Sequence, residues 1–251
     1  MLAVLDKSLS KAAEGLRGPA PSGEENDARD VAALLHDFTE DKERQLTISL
    51  GSGAGLAWFA KNGNLLLRQF YAVVDNMFCL FEGRIDNLSN LNKYYGLHKR
   101  INEPTLVIEI YRTLRDRGPY PAEKVIRDIE GRFAFVILDM TAKSTFIAVD
   151  YDCTVPFYWG ADSEERLILS DDAEFLKKAC GKSFAIFPKG CFYTSTRGLR
   201  SYEHASYELK AVPWVDSHGD ECWPTYEVDF ETKKPTSLRR NDSDFDWSEE
   251  L

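Results

Sequence analysis

The sequence predicts an α+β fold: a four-layer αββα sandwich with two β-sheets stacked at the centre and helices on both outer faces. Three observations carry this. Residues 133–138, Phe-Ala-Phe-Val-Ile-Leu, are apolar without interruption, as in a strand covered on both faces. A polar turn, Thr141-Ala-Lys143, sends the chain back through Thr145-Phe-Ile-Ala-Val149, a second buried strand. A hairpin covered on both faces needs layers above and below it, and amphipathic segments elsewhere supply the helices.

The remaining elements follow in order. Residues 2–5 form a short buried strand, and the Gly/Pro/Ser-containing stretch 15–26 is a surface loop. Asp27 is placed to cap a helix whose apolar face is Val31, Leu34, Leu35 and Phe38, spaced i, i+3, i+4, i+7. Residues 46–50 alternate like a strand, and Gly51-Ser-Gly-Ala-Gly55 links them to a strand at 56–60. Asn62-Gly63 is a turn leading into 65–67, and 77–81 is another buried strand.

Asp86 is expected to cap a short helix with Leu88, Leu91 and Tyr95 inward and Gly96 just past its end. Pro104 opens the next helix, Leu106, Val107, Ile110 and Leu114 line its apolar face, and Gly118 stops it. Val125, Ile126 and Ile129 suggest a short helix before the central hairpin. Pro156 then breaks the chain ahead of a strand at 157–159. A strand at 166–169, a helix from Asp171 with Leu176 inward, and further strand over 185–193 follow. The signal weakens from Ser201. Residues 1–230 are read as one domain and 231–251 as an acidic, flexible tail whose last stretch, 241–251, has no periodicity.

Composition narrows the function classes. The chain has 251 residues, 43% hydrophobic, a net charge of −10 and a pI of about 5.0, which argues against a nucleic-acid partner. No apolar run approaches the roughly 20 residues of a membrane span. The apolar start is too short for a signal peptide and no basic residue precedes it. Cys79, Cys153, Cys180, Cys191 and Cys222 are odd in number and form no CxxC pair, so reduced thiols in the cytosol or nucleus are expected.

Isolated motifs read mostly as structure. The 51–55 glycine run lacks the Lys-Ser/Thr of a phosphate loop and leads into a strand, so it is a hairpin loop. His218 and Cys222 lack a second ligand pair and mark a polar loop. The acidic tail offers carboxylates to hard cations, but solubilising disorder is the plainer reading. Arg115 and Arg117 suit a helix C-terminus. Cys79 and Cys153 are expected to be core thiols.

Several words in order resemble the N-terminal glutaminase domain of asparagine synthetases, a class-II glutamine amidotransferase with the N-terminal-nucleophile (Ntn) hydrolase fold. They are Phe81-Glu-Gly-Arg-Ile-Asp-Asn87, Asn102-Glu-Pro-Thr105, Gly131-Arg-Phe-Ala-Phe-Val136, Asp150-Tyr-Asp-Cys-Thr-Val-Pro-Phe-Tyr-Trp-Gly160 (where that family has Asp-x-x-Gly-x-x-Pro) and Asp171-Asp-Ala-Glu-Phe-Leu-Lys177. The resemblance covers roughly residues 1–202 and implies that residues 1–230 are a domain of this type. Within it, Tyr95-Gly96-Leu97 and Leu114-Arg115-Asp116-Arg117 are similar to the YGL and LRDR words of a plant group. That group comprises the aluminium-induced, auxin-repressed and stem-specific proteins, and the resemblance implies a stress- and hormone-responsive role.

The chain departs from the amidotransferase pattern at its chemistry. The family's nucleophile is a Cys exposed by removal of Met, with its own amine as base; the position is Leu2 here. The oxyanion-hole Asn is replaced by Glu82, which would repel developing negative charge. The substrate-binding Glu is replaced by Arg84, and the Asp that holds the substrate's amino group by Glu103. Gly83 is retained. Arg84, Glu82 and Glu103 make either an ion-pair cluster filling the old pocket or a binding site.

The expectation is a non-catalytic domain that binds a small amino-acid-like metabolite or acts as a scaffold, with no cofactor. The alternatives are a hydrolase trimmed to expose Ser8 or Ser10, and a metal-binding protein using the tail or the His218 loop. Exposed strand edges favour a homodimer.

Overall fold

The computed structural model of the chain describes residues 1–12, 15–16, 30–40, 42, 44–51, 53–59, 70–98, 101–116, 126–215 and 221–230, with side chains at 213–215 and 221–223 set aside. The predicted segments at 62–67, Asp27, Arg117, Gly118, Val125, His218 and the tail lie outside the described residues, as does the Cys222 side chain.

The first sheet contains β1 (Leu2–Leu5), β2 (Gln45–Ser49), β3 (Ala54–Phe59), β8 (Tyr158–Ala161), β9 (Leu167–Ser170) and β10 (Phe184–Ile186), in the order β10-β8-β9-β1-β3-β2. The second contains β4 (Tyr71–Val74), β5 (Met77–Ile85), β6 (Gly131–Asp139), β7 (Ser144–Val149), β11 (Cys191–Thr194) and β12 (Gly198–Ser201), in the order β12-β11-β7-β6-β5-β4. Helices α1 (Val31–Thr39) and α4 (Ala173–Cys180) cover the first sheet. Helices α2 (Leu88–Tyr94) and α3 (Glu103–Asp116) cover the second.

Three apolar layers give the predicted αββα sandwich. Between the sheets lie Met1, Ala3, Leu5, Val136, Leu138 and Trp159. Leu2, Val4 and Ile168 pack outward against Leu34, Phe38 and Leu176. Phe133, Phe135 and Ile137 pack outward against Leu106 and Ile110. The uninterrupted apolar run in β6 therefore has a simple cause: its odd-numbered side chains face the helices and its even-numbered ones face the other sheet.

Several boundaries differ from expectation. Helix α2 begins after Asn87, not Asp86, and Asn87 makes no side-chain cap. Its amide instead bridges to Asp128 O and Glu130 N–H. Asp86 is diverted to Arg84, 3.0 Å away. Helix α4 starts at Ala173, capped by Asp172, whose Oδ1 accepts from Phe175 N–H at 3.1 Å; Asp171 is engaged elsewhere. The strand expected over 185–193 is two strands in different sheets, β10 and β11, because the Pro188-Lys-Gly190 turn carries the chain across. Ile108, left out of the predicted α3 face, is buried, while Leu114 is half-buried.

Beyond Ser201 the chain forms β13 (Glu208–Val215) and β14 (Glu221–Asp229), a two-stranded hairpin. It packs beside β12 of one sheet and β10 of the other. Leu209 and Tyr226 reach the layer between the sheets, and the Tyr226 ring lies 5.6 Å from that of Trp159. The hairpin thus closes one open side of the sandwich and covers two of its four strand edges.

Candidate functional site

Two places on the fold carry functional interest: the positions aligned with amidotransferase chemistry, and a cavity on the outer face of the second sheet. The first is built on β1 and β5. Strand β1 is central in its sheet, paired antiparallel with β3 and β9. Leu2 is 0% exposed and packs under α1 and α4. Met1 turns the other way, into the layer between the sheets. Its ammonium lies 2.6 Å from Asp171 Oδ1, with both groups sealed from water. Its carbonyl accepts from Ser170 Oγ at 3.1 Å and Asp171 N–H at 3.3 Å.

Glu82, Gly83 and Arg84 lie just before the end of β5, opposite Ala134, Phe133 and Arg132. Glu82 lies two residues beyond Leu80 and shares its face, toward the other sheet. Gly83 has φ +115°, and a Cβ there would come within 2.0 Å of Arg132 O. The fold alone requires this glycine, so its retention says nothing about an oxyanion hole. The Arg84 side chain is 62% exposed and pairs with Asp86. Glu103 is the half-buried first residue of α3. The Arg84 guanidinium therefore pairs with Asp86 and not with Glu82 or Glu103, so of the two alternatives an ion-pair cluster centred on Arg84 is not formed.

The YGL and LRDR words both finish helices. Tyr95 is the C-cap of α2, and Gly96 follows at φ +68° with nothing within 4 Å of where its Cβ would stand. Gly96 N–H donates to Lys93 O (3.2 Å) and Leu97 N–H to Asn92 O (2.7 Å), the Schellman arrangement in which glycine supplies the left-handed residue. At the end of α3, Leu114 packs on the outer apolar layer. Arg115 bonds Asp116 (2.7 Å) and the fully buried Asp139 (2.8 Å). Tyr111, one turn earlier, donates to Asp139 Oδ2 at 3.1 Å and meets Ser144 Oγ at 2.6 Å. Burial alone would raise the Asp139 pKa. The Ala142 N–H, Arg115 and Tyr111 outweigh it and hold the carboxyl below its ordinary value. The Arg115–Tyr111 spacing on one helix face was readable; their partner, far along the chain, was not.

Among the cysteines, Cys79 is a core thiol as expected, while Cys153 is half-buried at φ +50°. Burial pushes the Cys79, Cys180 and Cys153 thiols up, and Cys191 to about 12. Such thiols hold little thiolate at neutral pH and are poor nucleophiles. Ser10 is buried and donates to Tyr193 Oη at 3.2 Å.

The cavity, of about 350 Å³, was not foreseen. Ile126, Ile129 and Phe133 line its apolar part; Arg127, Tyr151 and Glu203 line its polar part. It lies at the same end of the second sheet as Glu82 but on the helix side, since Phe133 faces α3 while Glu82 faces the other sheet. Its wall residue Asp150 accepts from Phe133 N–H, Asp152 N–H and the N–H and Oγ1 of Thr154, so this carboxylate is spent on holding the 150–154 loop.

Comparison with known proteins gives the family. The chain is 34% identical over 148 residues to the stem-specific protein TSJT1 of Nicotiana tabacum, covering 59% of this chain and 99% of that one. It is 26% identical over 126 residues to asparagine synthetase B [glutamine-hydrolyzing] of Escherichia coli (strain K12), half of this chain but 22% of the synthetase. It is 35% identical over 99 residues to asparagine synthetase 2 of Oryza sativa subsp. japonica, 36% of this chain and 15% of that protein. Among solved structures, the allosteric regulatory enzyme of purine biosynthesis aligns with a TM-score of 0.45 at 14% identity, over 63% of this chain and 37% of that one. Among the described residues no helix is long and apolar enough to cross a membrane. The family described as Aluminium induced protein matches residues 2–228, and the chain belongs to that family.

Proposed function

We propose that this chain is a catalytically silent glutamine-amidotransferase-like protein of a plant stress and hormone response, acting through a small metabolite or as a scaffold. One observation carries the reading: the position aligned with the nucleophile is Leu2, fully buried in a central strand. A leucine has no lone pair to attack an amide. Its side chain also points under the helices, whereas Glu82 faces the layer between the sheets. With Met1 in place, the nitrogen of residue 2 is a peptide amide with no basic lone pair, and the ammonium lies one residue earlier, paired with Asp171. Glu82 adds a carboxylate where a hydrogen-bond donor is needed.

Trimming to Ser8 or Ser10 fares poorly against the topology. It would delete β1 from between β3 and β9 and leave both neighbours with unpaired edges.

The test is ammonia release from glutamine by the purified full chain, beside an intact mass of the same sample. No release, with the Met1 or Leu2 terminus intact, is the expected result. Turnover by an untrimmed chain would overturn silence, and turnover only after trimming would establish the alternative hydrolase.

A further inference from the structure

We infer that the cavity on the helix side of the second sheet is a binding site for a small zwitterion with an apolar side group, the class of neutral apolar amino acids. This deepens the metabolite half of the reading above by giving it a site, and it stands or falls separately from catalytic silence. Arg127 and Glu203 both line the cavity. Arg127 donates from Nη2 to the carbonyl of Tyr202, the residue just before Glu203, so the two side chains leave neighbouring points of the rim. Opposite charges so placed ordinarily pair, but here neither makes an ion pair among the described residues. Glu203 accepts one hydrogen bond, from Tyr151 Oη at 2.9 Å. The guanidinium keeps donors in hand beyond the one given to Tyr202, and its fork geometry suits a carboxylate.

The apolar part explains the third requirement. Ile126, Ile129 and Phe133 border the cavity with little surface of their own open to solvent, at 2%, 7% and 2% exposure, so the apolar surface hidden there would be mainly the ligand's. An aliphatic or aromatic side group laid there would remove apolar surface from water. A free carboxylate to Arg127 and a free ammonium to Glu203 would fix its orientation. The volume, about 350 Å³, sits at the small end of the range for ligand pockets. Asp150 does not compete for the ammonium, because its oxygens are taken by the loop it holds.

The experiment is calorimetric titration of the full chain with L-leucine and L-phenylalanine, and with N-acetyl-L-leucine and L-leucinamide, which lack the cation and the anion respectively. Binding of a free amino acid is expected. Each blocked form should bind at least about tenfold more weakly, as should Arg127→Ala and Glu203→Gln. Both substitutions are at exposed residues; Glu203→Gln should leave the melting temperature of the free protein unchanged, and Arg127→Ala, which also gives up the bond to Tyr202 O, should lower it only slightly. Arg84→Ala, on the opposite face of the sheet, should leave binding unchanged. The inference is overturned if neither amino acid binds at about 10 mM, if binding survives in Arg127→Ala, or if it is lost in Arg84→Ala. None of these outcomes depends on whether the protein releases ammonia.

Discussion

Arg115 donates from Nη1 to Asp139 Oδ2 across 2.8 Å, joining the last turn of α3 to the end of β6. Asp139 also takes the N–H groups of Thr141 and Ala142 on Oδ1 and the Tyr111 hydroxyl on Oδ2. One carboxylate therefore shapes the central hairpin turn and anchors the helix above it.

Its replacement should be costly and pH-dependent. Asp139→Ala strands buried donors, for a loss of about 2–4 kcal/mol at neutral pH. The folded pKa is depressed, so the stabilisation is complete above the ordinary aspartate range and is lost as pH falls through the lower folded value. Urea unfolding of the parent and Asp139→Asn between neutral pH and about pH 3 checks this. The gap between the two proteins should narrow on acidification; a gap independent of pH would contradict it.

That anchor also shows what the sequence could and could not reveal. Periodicity reports which face of an element is apolar, so the β6 run, the α1 face and the α3 face were legible. It does not report which distant polar groups meet, so Asp139 with Arg115, Asp171 with Met1, and the Arg127–Glu203 rim were not. The C-terminal hairpin was obscured by its own composition. Strand β13 holds Glu208, Lys210 and Pro213, and its register shifts between Val212 and Trp214, a bulge of the kind that tolerates proline inside a strand. The 185–193 segment failed for another reason: apolar content does not say where a strand changes sheets. The resemblance supplied what periodicity could not, the alignment of Leu2 and Glu82 with a reaction.

Two left-handed positions should respond differently. Gly96 ends α2 at φ +68° in open space, so Gly96→Ala changes little besides backbone strain and should cost about 1 kcal/mol. Cys153 takes φ +50° where the amidotransferase segment carries glycine. Cys153→Gly relieves that strain while losing half-buried thiol packing, and should change stability by no more than about 0.5 kcal/mol. Cys191→Gly, buried in a regular strand, should lose about 2 kcal/mol. Equal losses at both cysteines would count against the backbone argument.

Placing a thiol at position 2 should not give glutamine hydrolysis. Leu2→Cys removes buried volume beneath Phe38 and Leu176, at about 2 kcal/mol. The new Sγ would face the helices while Glu82 remains toward the other sheet. Thermal unfolding should show the loss, and an ammonia assay with glutamine should stay at background. Turnover above background would mean that residue 2 can turn inward.

The sealed pair at the start of β1 gives the sharpest stability test. Met1 ammonium and Asp171 are 1% and 2% exposed. A buried pair adds little over an apolar replacement, but breaking one leaves its partner charged in a medium that solvates it poorly. Asp171→Ala should therefore cost about 3–5 kcal/mol. Asp171→Asn keeps an acceptor for the ammonium without its countercharge and should fall between parent and alanine. Ser170→Ala removes a hydroxyl that donates to Met1 O and accepts from Asp172 N–H but no charge, and should cost about 1–2 kcal/mol. The order alanine-171, asparagine-171, alanine-170 in denaturant unfolding separates charge from hydrogen bonding. If Asp171→Asn matched Ser170→Ala, the countercharge would be adding nothing, and the ammonium would have to be held by its hydrogen bonds alone.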